Sequence, residues 1–263
     1  MQLWREECMS RNVFEENFEK YADPEMYDHL YEGYQKDLNL ILEWAKLDQP
    51  IIELACGTGR LTIPMAKRGF QMVGVDLHEG MLERAKQKAK EQKLLIEFLL
   101  QDCTKLNLSV KSSLVFMTGN SFQHFLTNEV QDDLVQSVRQ HLVEDGIFIF
   151  DTRNPLLHEL AAVDEYEQLY SDNNGNQIIE FHREEYNSMT QILHCHTDRQ
   201  IYQGETLIAK EQDGISLRYS FPLEMERVLK ENGFEILQVY GDWDKNELNV
   251  KSTSMVYVCK VRK

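Results

Sequence analysis

What this chain lacks narrows it first. Nowhere in its 263 residues is there an apolar run of membrane-spanning length, and Met1-Gln2-Leu3-Trp4-Arg5-Glu6-Glu7 carries no secretory pattern, so a cytoplasmic protein is expected. Cysteine is sparse. Cys8, Cys56, Cys103, Cys195 and Cys259 are odd in number and show no C-x-x-C spacing, which argues for a reducing compartment and against disulfides or a zinc knuckle. His194-Cys195-His196 lacks metal-ligand spacing, and no metal is expected. Cations are also short: 28 Lys and Arg stand against 44 Asp and Glu, a net charge of −16 that repels a phosphate backbone. The one basic cluster, Arg84, Lys86, Lys88, Lys90 and Lys93, is interrupted by apolar and acidic residues and reads as a solvated helix face. Nucleic acid and membrane are therefore not expected as partners. No repeat or low-complexity linker breaks the chain, which is long enough for one large domain or a domain with an insertion.

What is present centres on residues 51–67. Ile51 to Leu54 form an apolar run suited to a buried strand, Gly57 and Gly59 permit a tight turn open to a ligand, and Arg60 to Lys67 read as a short helix ending at Gly69. A dinucleotide fold would place a third glycine where Thr62 stands, and Glu53 is an acid where a diphosphate would be repelled. The second strand, Met72 to Asp76, ends in a carboxylate at the spacing expected for a ribose hydroxyl partner, with a helix N-cap as the alternative role for Asp76. Together these point to a ligand with a ribose but no phosphate.

Glu53-x-Ala55-Cys56-Gly57-x-Gly59, then Val75-Asp76, then Gln101-Asp102-Cys103 resemble the first three motifs of class I S-adenosylmethionine-dependent methyltransferases, in order and across most of the chain. The resemblance implies S-adenosylmethionine as cofactor and a Rossmann-like α/β fold, a doubly wound seven-stranded sheet with a terminal antiparallel hairpin. Ala55, Gly57 and Gly59 would form the cofactor loop. Glu53 would organise that loop or meet the ammonium of the cofactor's tail through water. Asp102 would accept from the adenine amino group, or else cap the next turn, while the Cys103 amide donates to the ring. Leu77 and Met81 would wall the base, and Thr118, Asn120 and Ser121 would lie near the sulfonium. In such enzymes an N-terminal segment folds over the cofactor, and Tyr21 and Tyr27 are the expected contacts. His124 is the candidate base, with an ordinary surface or helix-start role as its alternative. Arg218 and Tyr219 resemble a segment lining the acceptor pocket.

The rest of the chain follows that frame. Tyr27, Tyr31 and Tyr34 recur at helical spacing, as a stripe on the core or part of a lid, and Leu38, Ile41, Leu42 and Ala45 mark a second helix. A helix over 79–92 buries Met81, Leu82, Ala85 and Ala89. Strands are expected over 94–100, 114–118 and 147–151, with a helix through Val130, Leu134 and Val138 capped by Thr127 or Asn128. Residues 153–165 read as a loop and short helix, and 177–186, 191–202 and 206–219 as antiparallel strands. A helix from Pro222 closed by Gly233 precedes strands 234–240 and 254–261. The expected division is an N-terminal helical lid (1–48), a core (49–152 and 220–263) and an inserted antiparallel β subdomain (153–219). The expected activity is methyl transfer to an N or O atom of a small-molecule acceptor, with a homodimer left open. The competing readings are a protein or nucleic-acid methyltransferase, disfavoured by the absence of a basic tract, and a cofactor-binding regulator without turnover.

Overall fold

The computed structural model describes residues 23–161, 163–172 and 174–262. They fall into two compact units, Asp23–Pro155 with 220–262, and Leu156–Tyr219. The strands are β1 (Ile51–Leu54), β2 (Met72–Asp76), β3 (Glu97–Leu100), β4 (Ser112–Met117), β5 (Leu142–Arg153), β6 (Asp164–Ser171), β7 (Gln177–Asn187), β8 (Ile192–Gln203), β9 (Thr206–Arg218), β10 (Phe234–Tyr240) and β11 (Ser254–Val261). The helices are α1 (Pro24–Leu30), α2 (Lys36–Trp44), α3 (Thr62–Lys67), α4 (Glu79–Glu91), α5 (Asn128–His141), α6 (Leu157–Leu160) and α7 (Pro222–Glu231).

The first unit is a seven-stranded sheet in the order β10-β11-β5-β4-β1-β2-β3. β1 to β5 run parallel, and β11 lies antiparallel between β5 and β10. Chain order reverses between β1 and β4, so the loops leaving β1, β2, β3 and β4 gather at the carboxyl edge beside that reversal. Both faces are covered, which is why the strands read as continuous apolar runs. Ile52, Leu54, Val115, Met117, Phe148 and Phe150 pack on one side with α5 and α7, while Ile51, Leu114, Phe116 and Ile149 pack on the other with α2 and α3. Gly74 fills the middle of β2 because a Cβ there would meet the Phe98 ring at 2.8 Å and Cys56 Sγ at 3.0 Å.

Most expected elements appear, with local shifts. β3 begins at Glu97, not Leu94: Lys93 takes φ 55, and the Leu94 amide still bonds the Ala89 carbonyl at the end of α4. β4 starts at Ser112, and β5 extends to both sides of the expected core of residues 147–151. Thr127 caps α5, its hydroxyl accepting from the Val130 amide. The tyrosine stripe is corrected. α1, capped by Asp23, stops at Leu30 and buries none of its residues, so Tyr31 and Tyr34 lie beyond it and are exposed. In α2 the buried set is Asp37, Leu38, Leu40 and Ile41; Leu42 and Ala45, expected on the buried face, are only packed against it.

The second unit is a four-stranded antiparallel sheet, β6-β7-β8-β9. Three of its strands were expected. β6 was not, because Asp164–Ser171 is almost wholly exposed, is rich in acids and pairs only with β7. Charge stacks run across the strands: Arg199 donates to Glu180 at 2.6 Å, Glu211 at 3.1 Å and Asp213 at 3.2 Å.

Candidate active site

The motif residues converge at the carboxyl edge of β1 to β4. Leaving β1, the backbone turns through Ala55 (φ 51), Gly57 (φ 53) and Gly59 (φ 79). Ala55 holds a left-handed conformation that an L side chain disfavours, the kind of strain that accumulates at ligand loops. Asp76, at the end of β2, orients this loop: its Oδ2 accepts from the Gly57 amide at 2.7 Å and its Oδ1 from the His78 amide at 2.8 Å. Burial raises the Asp76 pKa, and the two amides oppose that shift. Asp76 is not the helix cap. His78 takes that role, its Nδ1 accepting from the Met81 amide at 3.3 Å. Each Asp76 oxygen retains a lone pair beyond these bonds, so the carboxylate is aimed before any ligand arrives.

Glu53 sits inside β1, 3 % exposed, and accepts from the Thr62 hydroxyl at the start of α3. Burial drives its pKa up to about 8, with the Thr62 hydrogen bond and Arg60 working the other way, so it is mostly protonated at pH 7. Its role here is to tie β1 to α3, which is also why a threonine occupies the position of the third glycine. Asp102 follows β3, and its Oδ1 accepts from the Thr104 amide at 2.9 Å and the Thr104 hydroxyl at 2.7 Å, capping a short 3-10 turn. Cys103 is buried, and its thiol is pushed up to about 12 by that burial, leaving it inert. Leu77 is exposed, whereas Met81 is 2 % exposed on the inner face of α4.

After β4, Thr118 and Gly119 lead into Asn120, held at φ 59. The Asn120 amide donates to Asp151 Oδ1 at 2.9 Å, and Asp151 Oδ2 accepts from the Trp243 indole at 3.1 Å. Burial raises Asp151 to about 6. Ser121 donates to the Thr118 carbonyl at 2.7 Å. Asn120 Oδ1 is buried with no hydrogen-bond partner among the described residues. His124 ends the 3-10 turn Ser121–His124, and burial lowers its pKa to about 4. The imidazole is therefore neutral at pH 7 and a feeble base, which weakens the base role expected for it.

The segment 23–44 closes over this edge. Tyr27 lies beside Gly57, where a Cβ would sit 3.8 Å from its ring; Tyr21 lies outside the described residues. Asp28 accepts from the Thr58 hydroxyl at 2.6 Å, Arg84 Nε at 2.9 Å and Lys88 Nζ at 2.6 Å. Burial works against its charge, but these donors outweigh it and hold its pKa down. Arg84 and Lys88 are thus not a purely solvated face, as their sequence suggested; they anchor α1. Asp37, 1 % exposed, takes both Nη atoms of Arg60 at 3.0 and 2.5 Å. A groove of about 430 Å³ runs beneath this segment, lined by Tyr31, Tyr34, Ile63, Pro64 and Lys67 among others, while Asp76, Asp102 and Asn120 lie outside it. Asp28, Asp37, Arg60, Asp151 and Trp243 were not legible as site residues. Arg60, next to Gly59, carried the only local hint. In the second unit, Arg218 ends β9 opposite Ile192, and Tyr219 follows it with its amide on the Gln191 carbonyl at 2.9 Å; both are buried.

A seven-stranded sheet of this order, with an aspartate at the end of β2 facing a Gly-x-Gly loop, is the arrangement of the class I S-adenosylmethionine-dependent methyltransferases, and the family model and named relatives support that family for this chain. Residues 51–146 match the family model described as a methyltransferase domain. A provisionally named methyltransferase of Geobacillus sp. (strain WCH70) is 24 % identical over 255 residues, covering 93 % of this chain and 98 % of that protein. Among solved structures, a S-adenosylmethionine-dependent methyltransferase from Clostridium acetobutylicum aligns with TM-score 0.76 and 22 % identity, over 94 % of this chain and 99 % of that one. CalS10, an amino pentose methyltransferase from Micromonospora echinaspora, aligns with TM-score 0.69 and 16 % identity, over 90 % and 96 %. At these identities the structural alignments establish the fold. No described helix is long and apolar enough to cross a membrane.

Proposed function

We propose that this methyltransferase acts on a small-molecule acceptor, at nitrogen in preference to oxygen. The observation that carries the donor half is Asp76, preset by the Gly57 and His78 amides beside a loop whose glycines take left-handed φ. The residues fit S-adenosylmethionine. Asp76 would receive the ribose hydroxyls, Asp102 and the Cys103 amide the adenine, and Leu77 and Met81 its faces. Ala55, Gly57 and Gly59 would offer main chain to the amino-acid tail, and the orphaned Asn120 Oδ1 is an acceptor for its ammonium. Bound there, the cofactor supplies an electrophilic methyl on a sulfonium.

The chain's own residues then have to orient the acceptor and keep water away. Tyr27 covers the loop, and the Thr118–Ser121 turn forms the wall opposite. With His124 neutral and weakly basic, the imidazole after the Thr118–Ser121 turn does not supply a strong base. An amine sheds its proton to solvent before binding, whereas a hydroxyl needs one removed during transfer, and this favours nitrogen. The net charge of −16 supports a small acceptor over nucleic acid, and the fold shared with an amino pentose methyltransferase points the same way. Arg218 and Tyr219 carry acceptor recognition in this reading.

The test is incubation with a methyl-labelled donor and a panel of amines, amino sugars and hydroxy compounds. Label should enter a small amine, and Arg218→Ala should depress that turnover while leaving donor affinity intact. Label recovered only in protein or RNA overturns the proposal.

A further inference from the structure

The geometry points to Arg60 as a positioning residue that couples closure of the segment 23–44 to the shape of the turn after β4. Its guanidinium, 13 % exposed, meets four groups from three segments. Nη1 donates to Asp37 Oδ1 at 3.0 Å and to the Tyr34 carbonyl at 3.1 Å. Nη2 donates to Asp37 Oδ2 at 2.5 Å and to Thr118 Oγ1 at 3.1 Å. The guanidinium carbon also sits 5.2 Å from the centre of the Tyr34 ring. Arg60 itself follows Gly59, so one planar fork holds the glycine loop, the start of α2, the link before it and the first residue of the Thr118–Ser121 turn.

The choice of partners is what distinguishes this from ordinary packing. A buried ion pair adds little net stability compared with apolar side chains of similar size, because both charges lose their water. What it fixes is relative position, and here every position fixed belongs to the ligand edge. Tyr34 and Asp37 continue the segment that carries Tyr27 over Gly57. Thr118 opens the turn that buries Asn120 Oδ1. If the segment lifts, Asp37 and the Tyr34 carbonyl leave together and the Arg60 fork, no longer held by them, can swing away from the Thr118 hydroxyl. If the turn moves, the fork loses one of its arms. Closure and turn geometry are therefore one equilibrium, and a ligand touching either biases both. A lysine cannot substitute, since a single ammonium cannot grip a carboxylate with two parallel bonds while reaching a carbonyl and a hydroxyl on opposite sides.

This rests on the reading that the edge holds S-adenosylmethionine, so the test separates the two. Amide hydrogen exchange is measured without ligand on the full chain, and adenosylhomocysteine affinity by calorimetry, for the wild type, Arg60→Lys and Thr118→Val. Thr118→Val is the decisive variant, because Arg60 bonds the Thr118 hydroxyl on one side and Tyr34 and Asp37 on the other, so the substitution removes the link without touching the 34–38 stretch. It should speed exchange at residues 34–38 and weaken adenosylhomocysteine binding several-fold, while Arg60→Lys should do both and weaken binding about ten-fold. The double variant should be no worse than Arg60→Lys. Wild-type exchange at 34–38 in Thr118→Val overturns the coupling, whatever Arg60→Lys does to folding. Coupled exchange in a wild-type chain that binds no adenosylhomocysteine would leave the coupling standing and sink the donor site instead.

Discussion

The two sheets hold themselves together by different means. In the parallel sheet, strands of four to six residues such as β1, β2 and β4 are buried on both faces and are specified by volume, so that a methyl at Gly74 would crowd the Phe98 ring. In the antiparallel sheet the strands run to 13 residues in β9, β6 is nearly all exposed, and the cross-strand partners are charges such as Arg183 with Glu165 and Arg199 with Glu180. A sheet built on volume keeps its loop ends in place and can carry an aimed carboxylate. One held partly by cross-strand charge pairs depends less on close fit of volume.

That contrast can be broken by substitution. The largest effect is expected at the loop edge: Asp76→Ala should weaken adenosylhomocysteine binding by roughly a hundred-fold, about 3 kcal/mol for a charged acceptor, with the unfolding curve retained. Affinity left intact in calorimetry would remove Asp76 from the site. Next is Glu53. Its folded pKa of about 8 exceeds its ordinary value of 4.5, so between those limits the folded chain keeps a proton that the unfolded chain gives up. Stability should therefore decline as pH rises through that window, by about 2 kcal/mol from pH 6 to 8 in denaturant titrations, and Glu53→Gln should flatten the slope. An unchanged slope in the variant would show that Glu53 does not titrate there.

Gly74→Ala should cost about 1.5 kcal/mol by overpacking against Phe98 and Cys56. At the far end of the scale, Arg183→Ala in the second unit should leave the thermal midpoint within error of the wild type. A loss there as large as that from Gly74→Ala would erase the distinction between the two sheets.

The same distinction explains what could be read without coordinates. Buried strands announce themselves: β1, β2 and β11 coincide with their expected bounds, as does the partly exposed edge strand β10. The four buried positions of α4 were all legible from their spacing. β6 was hidden because Asp164–Ser171 shows neither alternation nor an apolar run. In the candidate site, Asp76 and the glycines stood out through spacing along the chain. Asp28, Asp37, Asp151 and Trp243 act through partners distant in sequence, as when Asp151 meets Trp243 across 92 residues, and no local pattern encodes such a meeting. His124 was visible as an imidazole near the right turn, but its weak basicity comes from burial that only the fold creates.

The place of β11 has a consequence for how this molecule is made. Its seven backbone pairings with β5 run from Ser254 opposite Arg153 to Lys260 opposite Ile147, and its other side carries β10. Until those late residues emerge and fold back, β5 offers a bare ladder of amides and carbonyls flanked by Phe148 and Phe150, a natural template for the wrong strand. A nascent chain stalled after the second unit would be sticky, and its yield in the cell should track how fast synthesis delivers the final hairpin or how well a chaperone shields that edge meanwhile.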